Sequence, residues 1–170
     1  MTLDNLSNDQ LKELVKIYAR NIYALDGVWF QSIEQKEGMD EAMLHDRNAW
    51  RRFTETEARR IKNFLQLPVH AGLNGLEKAL SYRFSALANP QVEFIHEGNA
   101  LIYRVVDCRV QTARKQKGMP YHPCKSVGII EHAFFAKIID DRIECDTISC
   151  FPDVTDKDCA CAWRFYINQE

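Results

Sequence analysis

The spacing of apolar residues changes near Pro90, and this change limits the folds that the chain can adopt. Before Pro90, apolar side chains recur every three to four residues, which indicates amphipathic helices. After it, residues 91–96 and 100–106 alternate between apolar and polar, with a Glu-Gly-Asn turn between them, which predicts a β-hairpin. Helices followed by hairpin strands are typical of the α+β class, in which helices cover a mostly antiparallel sheet.

Residues 1–88 are predicted to form a helical N-terminal part. Ser7 and Gln10 have the spacing of a capping box, which marks the start of a first helix, and Gly38 marks its end. Three further helices are predicted, at residues 40–45, from Trp50 to just before Pro68, and at residues 73–87.

An acid beside aromatic residues makes this helical part a candidate for ligand binding. Asp26 and Trp29 lie within the apolar stripe of the first helix, and Trp50 lies on a later helix. Because ligand sites are mostly apolar with a few placed polar groups, these three residues predict a site for a small aromatic or heterocyclic molecule. The alternative is a plain core. The stripe also contains Leu11, Leu14, Val15, Tyr18, Ile22 and Leu25.

Residues 89–170 are predicted to form a cysteine-rich β-β-α-α-β-β part. After the hairpin we expect a short, solvated basic helix at residues 109–117 and a longer helix at 126–140. Strands at 142–150 and 159–167 close the chain. The predicted fold is a helical part packed on a small sheet, with both parts in one continuous domain.

Five of the six cysteines lie between residues 124 and 161, and the first 107 residues contain none. Such crowding indicates shared chemistry, because cysteines that merely fill a core have no reason to collect at one end. A period of two places Cys161 on the apolar face of the last strand, and Cys150 ends the strand before it. Cys124 precedes a helix, whose N-terminal N–H groups stabilise a thiolate.

Three or four thiolates around one point bind zinc in a tetrahedral site, and iron or an iron–sulfur cluster is the alternative. Cysteines that pack without a ligand, and redox or catalytic thiols, are the competing interpretations. The predicted metal ligands are Cys124, Cys145, Cys150, Cys159 and Cys161.

His122 supports a second hypothesis, because it stands two residues before Cys124 and is a candidate general base for a nucleophilic thiol. An exposed loop histidine is the alternative. Glu131 and His132 resemble half of a metalloprotease motif, but Ala136 stands where the second histidine belongs. The pair is therefore predicted to lie on a solvated helix face.

Charge and hydropathy exclude several classes of partner. The chain has 22 basic and 24 acidic residues, so no basic excess favours nucleic acid. No apolar run is long enough to span a membrane. The polar N-terminus lacks the pattern of a signal peptide, so we expect a cytoplasmic protein with reduced thiols. A homo-oligomer is compatible with these features.

The segments LDGVWF, DCRVQTARKQKG, PCKSVG, FPD and CAWRF resemble an uncharacterised family of small cytosolic proteins from anaerobic microbes. The C-terminal half more distantly resembles the 4-vinyl-reductase-type and aminothiazoline-carboxylate hydrolase families, whose last strand carries Cys-x-aromatic, here Cys161-Ala-Trp163. The vinyl-reductase resemblance implies that Cys124, Cys150 and Cys161 bind zinc. Thr147 replaces a glutamate ligand of that family, so Cys145 or Cys159 would have to complete the site.

The sequence therefore predicts a small-molecule-binding or sensing module with a mainly structural, cysteine-built metal site. Its pocket is expected between the helical part and the sheet. A hydrolase is the first alternative, using either an open metal site or Cys124 with His122 as base. A redox or metal-handling protein is the second.

Overall fold

The computed structural model describes residues 2–168, and the order of its elements confirms the α+β class and the β-β-α-α-β-β order of the C-terminal part. A short 3-10 turn at Leu3–Asn5 comes first. The helices are α1 (Asn8–Glu37), α2 (Met39–Phe64), α3 (Gly72–Ser81), α4 (Phe84–Ala88), α5 (Arg109–Gln116) and α6 (Lys125–Ile139). The strands are β1 (Gln91–Glu97), β2 (Ala100–Asp107), β3 (Ile143–Cys150) and β4 (Cys161–Ile167).

Local signals set the ends of the first two helices. The Ser7 hydroxyl accepts a hydrogen bond from the Gln10 N–H, and the Gln10 amide oxygen accepts one from the Ser7 N–H, which completes the predicted capping box. Gly38 separates α1 from α2 at a φ of 91°, where a side chain would be strained. The prediction of a separate helix at residues 40–45 is wrong. No glycine or proline interrupts α2, which continues unbroken through this region.

The single helix predicted at residues 73–87 is also wrong, because the chain leaves the helical conformation at Arg83. Arg83 is extended there, and its guanidinium is 1% exposed. Its Nε lies 2.9 Å from a carboxylate oxygen of Glu57 and its Nη2 lies 2.8 Å from one of Glu131. A buried ion-pair network of this kind joins residues far apart in the sequence, so local periodicity does not reveal it.

The four strands form one antiparallel sheet in the order β1-β2-β4-β3. Its inner face is apolar, and Leu101, Tyr103 and Phe165 are almost fully buried there. Helices α3 and α6 pack in the same core, together with Ala58 of α2. The helical and cysteine-rich parts therefore share one hydrophobic core.

The apolar stripe of α1 is largely uncovered, so a plain-core role for Trp29 is wrong. Trp29 is 70% exposed and Leu25 is 73% exposed, whereas Ala19 and Phe30 face the interior. Periodicity identifies an apolar helix face but does not show whether another element covers it. No helix between residues 2 and 168 combines the length and the apolar character needed to cross a membrane.

Candidate active site

A cavity of about 150 Å³ lies between the helical part and the inner face of the sheet. Its lining combines residues of α1, α2, β2, β4 and α6. The apolar and aromatic walls are formed by Phe30, Trp50, Tyr103, Val105, Val127 and Trp163. Four of the six cysteines, Cys108, Cys124, Cys150 and Cys161, also line it.

Three of these cysteines, Cys124, Cys150 and Cys161, lie at the same end of the sheet and are called the thiol cluster below. Cys124 precedes the first residue of α6, and the Cys150 thiol donates a hydrogen bond to its sulfur with an Sγ–Sγ distance of 3.7 Å. Cys150 faces Cys161 across the β3–β4 pairing. The indole N–H of Trp163 donates to the Cys161 sulfur at 3.3 Å.

His122 is the basic group beside the thiol cluster, and it is not the exposed loop histidine that the sequence suggested. It is 6% exposed, and its Nε2 lies 3.2 Å from Oδ2 of the buried Asp46 on α2. The ring of Phe30 packs against the imidazole with 4.6 Å between ring centroids. The other ring nitrogen, Nδ1, is buried without a hydrogen-bond partner among residues 2–168. Asp46 thus orients the imidazole through one nitrogen and leaves the second free for proton transfer.

One side chain, Gln111 of α5, fixes the segment that carries both His122 and Cys124. Its amide oxygen accepts the backbone N–H of His122 at 3.0 Å, and its amide nitrogen donates to the backbone carbonyl of His122 at 2.8 Å. The same nitrogen lies 3.3 Å from the sulfur of Cys124 and donates to it. These three hydrogen bonds fix the backbone at His122 and the side chain of Cys124 in an otherwise irregular segment.

Arg114 anchors the other end of this segment to α1, so the prediction that residues 109–117 form a solvated face is wrong for this residue. Arg114 is 3% exposed and contacts both carboxylate oxygens of Glu34, at 2.7 and 2.8 Å. Its Nε donates to the carbonyl of Pro120 at 2.6 Å. This paired geometry is among the stronger hydrogen-bonding arrangements available to a side chain.

The partners of Cys124 favour its ionised form. Hydrogen bonding from the Cys150 thiol is the largest influence. With His122 and Gln111 it outweighs burial and lowers the pKa of Cys124 to about 5. Burial would lower the pKa of His122, but Asp46 and the Cys124 thiolate raise it to about 9. These influences therefore favour a thiolate–imidazolium pair at neutral pH.

The predicted ligand residues Asp26, Trp29 and Trp50 all line an outer groove between α1 and α2, together with Phe53. Asp26 and Trp50 also line the inner cavity, whereas Trp29 does not. Burial, followed by the nearby charge of Asp46, raises the pKa of Asp26 to about 7. At neutral pH this carboxyl group exchanges readily between hydrogen-bond donor and acceptor.

Glu131 and His132 are not on a solvated face, which corrects the sequence prediction. The His132 ring stacks on Trp163 with 4.4 Å between centroids, and its Nδ1 lies 2.8 Å from the carbonyl oxygen of Gly128. Burial lowers the pKa of His132 to about 4, so the ring is neutral. Gly128 makes this packing possible, because a Cβ there would lie 2.6 Å from the Trp163 ring.

Part of the predicted metal site has suitable geometry. Tetrahedral zinc with Zn–S bonds of about 2.3 Å holds its sulfur ligands about 3.8 Å apart. The Cys124–Cys150 distance of 3.7 Å matches one such edge. Within residues 2–168, however, no three cysteine sulfurs lie within 4.8 Å of one another. The group of three potential ligand atoms that meets this distance is formed by His70, Asp140 and Asp141.

The two remaining candidate ligands, Cys145 and Cys159, do not line the cavity. Cys145 pairs with Phe165 across the sheet and packs against the core. The thiol of Cys159 lies beside Asp156 and Arg104, and burial is the main reason that its pKa rises to about 11. A zinc site built from the cysteines therefore stays a prediction.

Sequence reasoning missed Asp46, Gln111 and the cavity position of Cys108. Asp46 has a recognisable signal, since an acid within a buried helical stripe needs a functional or structural reason. The buried stripe of α2 repeats every fourth residue, at Ala42, Asp46, Trp50, Thr54 and Ala58. Gln111 has no comparable signal, because its role depends on a backbone segment that only the fold brings near.

Comparisons with known proteins identify the family but not an activity. No curated protein and no solved structure gave a significant match. The profile of one family, described as a family of unknown function (DUF6125), matches residues 4–167. The chain therefore belongs to the DUF6125 family.

Proposed function

We propose that this protein is a hydrolase in which Cys124 is the nucleophile and His122 its acid and base, acting on a small, mostly apolar molecule. The observation that carries this proposal is that Cys124, His122 and Asp46 line the cavity together, with Asp46 in contact with the His122 imidazole. A nucleophile, a base beside it and a third group that orients the base together form the usual signature of covalent catalysis.

The reaction begins from the thiolate–imidazolium pair. The Cys124 thiolate adds to an electrophilic acyl carbon, and His122 gives its proton to the leaving group as the carbon–leaving-group bond breaks. The acyl group is then held as a thioester. Neutral His122 next removes a proton from water, which attacks the thioester and releases the acid. His122 transfers its proton through Nδ1, which has no hydrogen-bond partner among residues 2–168.

Gln111 supplies a second element of catalysis. Its amide nitrogen lies 3.3 Å from the Cys124 sulfur and donates a hydrogen bond to it. This donor stabilises the attacking thiolate and holds it in position before the substrate arrives. The N-terminus of α6, directly after Cys124, adds a positive dipole end.

The cavity sets the class of substrate. Its volume of about 150 Å³ and its aromatic walls suit one small ring system. Asp26 offers one polar group that can donate or accept a hydrogen bond. This composition supports the aromatic or heterocyclic small molecule predicted from the sequence.

Acylation of Cys124 tests the proposal directly. Activated esters and thioesters of small aromatic acids should give a covalent adduct, which intact mass spectrometry and peptide mapping place on Cys124. Cys124→Ser should give no thioester, whereas Cys145→Ser, the matched core cysteine, should react as the parent does. An adduct that persists in Cys124→Ser and maps elsewhere would contradict the proposal. Compounds that raise the melting temperature without adduct or turnover would favour the binding module instead.

Zinc bound by Cys124, Cys150 and Cys161 is a second candidate, favoured by the 3.7 Å distance between the first two sulfur atoms. Metal analysis of anaerobically purified protein separates the two proposals. One zinc per chain, with Cys124 protected from alkylation until a chelator is added, supports the metal site. Metal-free protein with a reactive Cys124 supports the nucleophile. The resemblance to the 4-vinyl-reductase-type and aminothiazoline-carboxylate hydrolase families stays a prediction.

A further inference from the structure

We infer that Cys124 and Cys150 are a peroxide-reactive pair, in which Cys124 is oxidised first and Cys150 then closes a reversible disulfide with it. The inference goes beyond hydrolysis, since it needs two sulfur atoms and a peroxide but no acyl substrate. It would also give the proposed nucleophile a means of control, because Cys124 in a disulfide cannot attack carbon.

The backbone keeps the two cysteines together. Lys125 follows Cys124 and Phe151 follows Cys150. The backbone N–H of Lys125 donates to the carbonyl of Phe151 at 3.0 Å, which connects the start of α6 to the end of β3. The two sulfur atoms are 3.7 Å apart and already share a hydrogen bond. A disulfide requires about 2.05 Å, so side-chain rotation has to close the remaining gap.

Exposure assigns the order of the two sulfurs. Both residues line the cavity, but Cys124 is partly exposed whereas Cys150 is 1% exposed. A small peroxide entering the cavity therefore meets the sulfur that accepts hydrogen bonds from Cys150 and Gln111, and this sulfur has thiolate character. Cys150 is the donor in the pair, so its sulfur already faces the one that is oxidised first.

The chemistry balances in two steps. The Cys124 thiolate attacks one oxygen of the peroxide, the O–O bond breaks, and the leaving oxygen takes a proton from the His122 imidazolium, giving a sulfenic acid and water or an alcohol. The Cys150 sulfur then attacks the sulfenic sulfur. The S–O bond breaks, and the departing hydroxide leaves as water with the proton of Cys150. An external thiol restores both cysteines by exchange.

The test oxidises reduced, chelator-treated protein with a small molar excess of hydrogen peroxide, with and without a sulfenic-acid trap. The parent should lose two of its six thiols, and peptide mapping should find Cys124 linked to Cys150. Cys150→Ser should instead accumulate the trapped sulfenic acid on Cys124. Cys124→Ser should keep all its remaining thiols. Cys145→Ser should behave like the parent, apart from its missing thiol.

Several results would overturn the inference. The first is a parent protein that consumes no peroxide. The second is a disulfide that links Cys150 to Cys161. The third is oxidation of Cys124 to sulfinic acid while Cys150 remains a free thiol. The experiment measures the number of free thiols and the masses of the oxidised peptides, and it does not depend on turnover of an ester. A protein that hydrolyses esters but forms no Cys124–Cys150 disulfide therefore contradicts this inference alone, and one that forms the disulfide without hydrolysis contradicts the proposed function alone.

Discussion

The two ends of helix α6 use polar groups in opposite ways. At its C-terminal end, the Lys62 ammonium donates to the carbonyls of Ile138 and Ile139, at 3.0 and 2.7 Å. Next to them the buried carboxylate of Asp140 accepts the backbone N–H of Gly72 at 2.9 Å and two guanidinium donors of Arg142. Each group at this end has its partner within the chain.

At the N-terminal end, the same helix begins at the thiol cluster, where a buried imidazole nitrogen of His122 has no partner in the described chain. Buried polar atoms are nearly always paired, and an exception needs an explanation. The closed network at one end holds the helix in place, whereas the unpartnered imidazole nitrogen at the other end lies where the proposed chemistry would occur. Substitutions at the two ends should therefore separate stability from reactivity.

The largest expected effect is at the N-terminal end. Cys124→Ser should lower kcat/KM for an activated ester by at least about a thousandfold, because a hydroxyl at this position has no ionised form at neutral pH. The melting temperature should change little. Kinetics and thermal unfolding of the same preparation measure both quantities. If Cys124→Ser lost activity only because it unfolded, the claim that the N-terminal end of α6 serves reactivity and not stability would be wrong.

The pH dependence of alkylation should show the next largest effect. Iodoacetamide should modify Cys124 at a nearly constant rate between pH of about 5 and about 9, and more slowly as pH falls through about 5 and the thiolate is protonated. His122→Asn should move this fall part of the way toward the ordinary cysteine pKa of about 8.5, because the Cys150 and Gln111 donors remain. The reaction at pH 7 should therefore slow by at most about thirtyfold. A parent rate that climbs steadily through neutral pH would argue against the ion pair.

At the C-terminal end, Asp140→Asn should lower the free energy of unfolding by about 1–3 kcal/mol, because charged hydrogen bonds in the interior are lost. Alkylation of Cys124 should be unchanged. Hydrogen bonding from Arg142 holds the pKa of Asp140 well below its ordinary range. In the parent, the ionised Asp140 therefore contributes its full stabilisation above pH of about 3.9, and this contribution decreases as the pH falls further. The free energy of unfolding of the Asp140→Asn variant should not show this decrease.

Urea unfolding at two pH values measures the Asp140 effect. Asp141→Asn is the matched control, since the neighbouring carboxylate is 77% exposed. Equal destabilisation by both variants would show that the network around Asp140 does not hold the helix.

The smallest expected effect is that of Lys62→Met, which removes the ammonium donor from the last turn of α6 and should cost about 1 kcal/mol. Lys78→Met, on the exposed side of α3, is the comparison and should be close to neutral. Denaturant unfolding distinguishes the two. If Lys62→Met also changed the rate of Cys124 alkylation, the two ends of the helix would be coupled.

Much of the fold is encoded in local signals. The capping box at Ser7, the break at Gly38 and the hairpin after Pro90 all appear where the sequence places them. The site is encoded less directly. His122 and Cys124 lie two residues apart in the sequence and were identifiable, but Asp46 reaches His122 only through the packing of α2, which no local pattern specifies.

The errors have a common physical cause, which is burial of charge by distant partners. Arg83 interrupts a predicted helix because Glu57 and Glu131 receive its guanidinium, and the same contact brings Glu131 out of solvent. Trp29 is the opposite case, an aromatic residue that no element covers. Sequence periodicity contains neither kind of information.

The hydrogen bonds from Gln111 to the segment from His122 to Cys124 separate the reactive groups of the site from the walls of the cavity. The proposed base and nucleophile are fixed relative to each other, because the same amide holds the backbone of the first and the sulfur of the second. Other walls of the cavity, such as Trp50 on α2 and Val105 on β2, come from elements outside this segment. Under the proposed function, substitutions at such walls would change which molecules are accepted and leave the reactivity of the thiol unchanged, which makes the site evolvable.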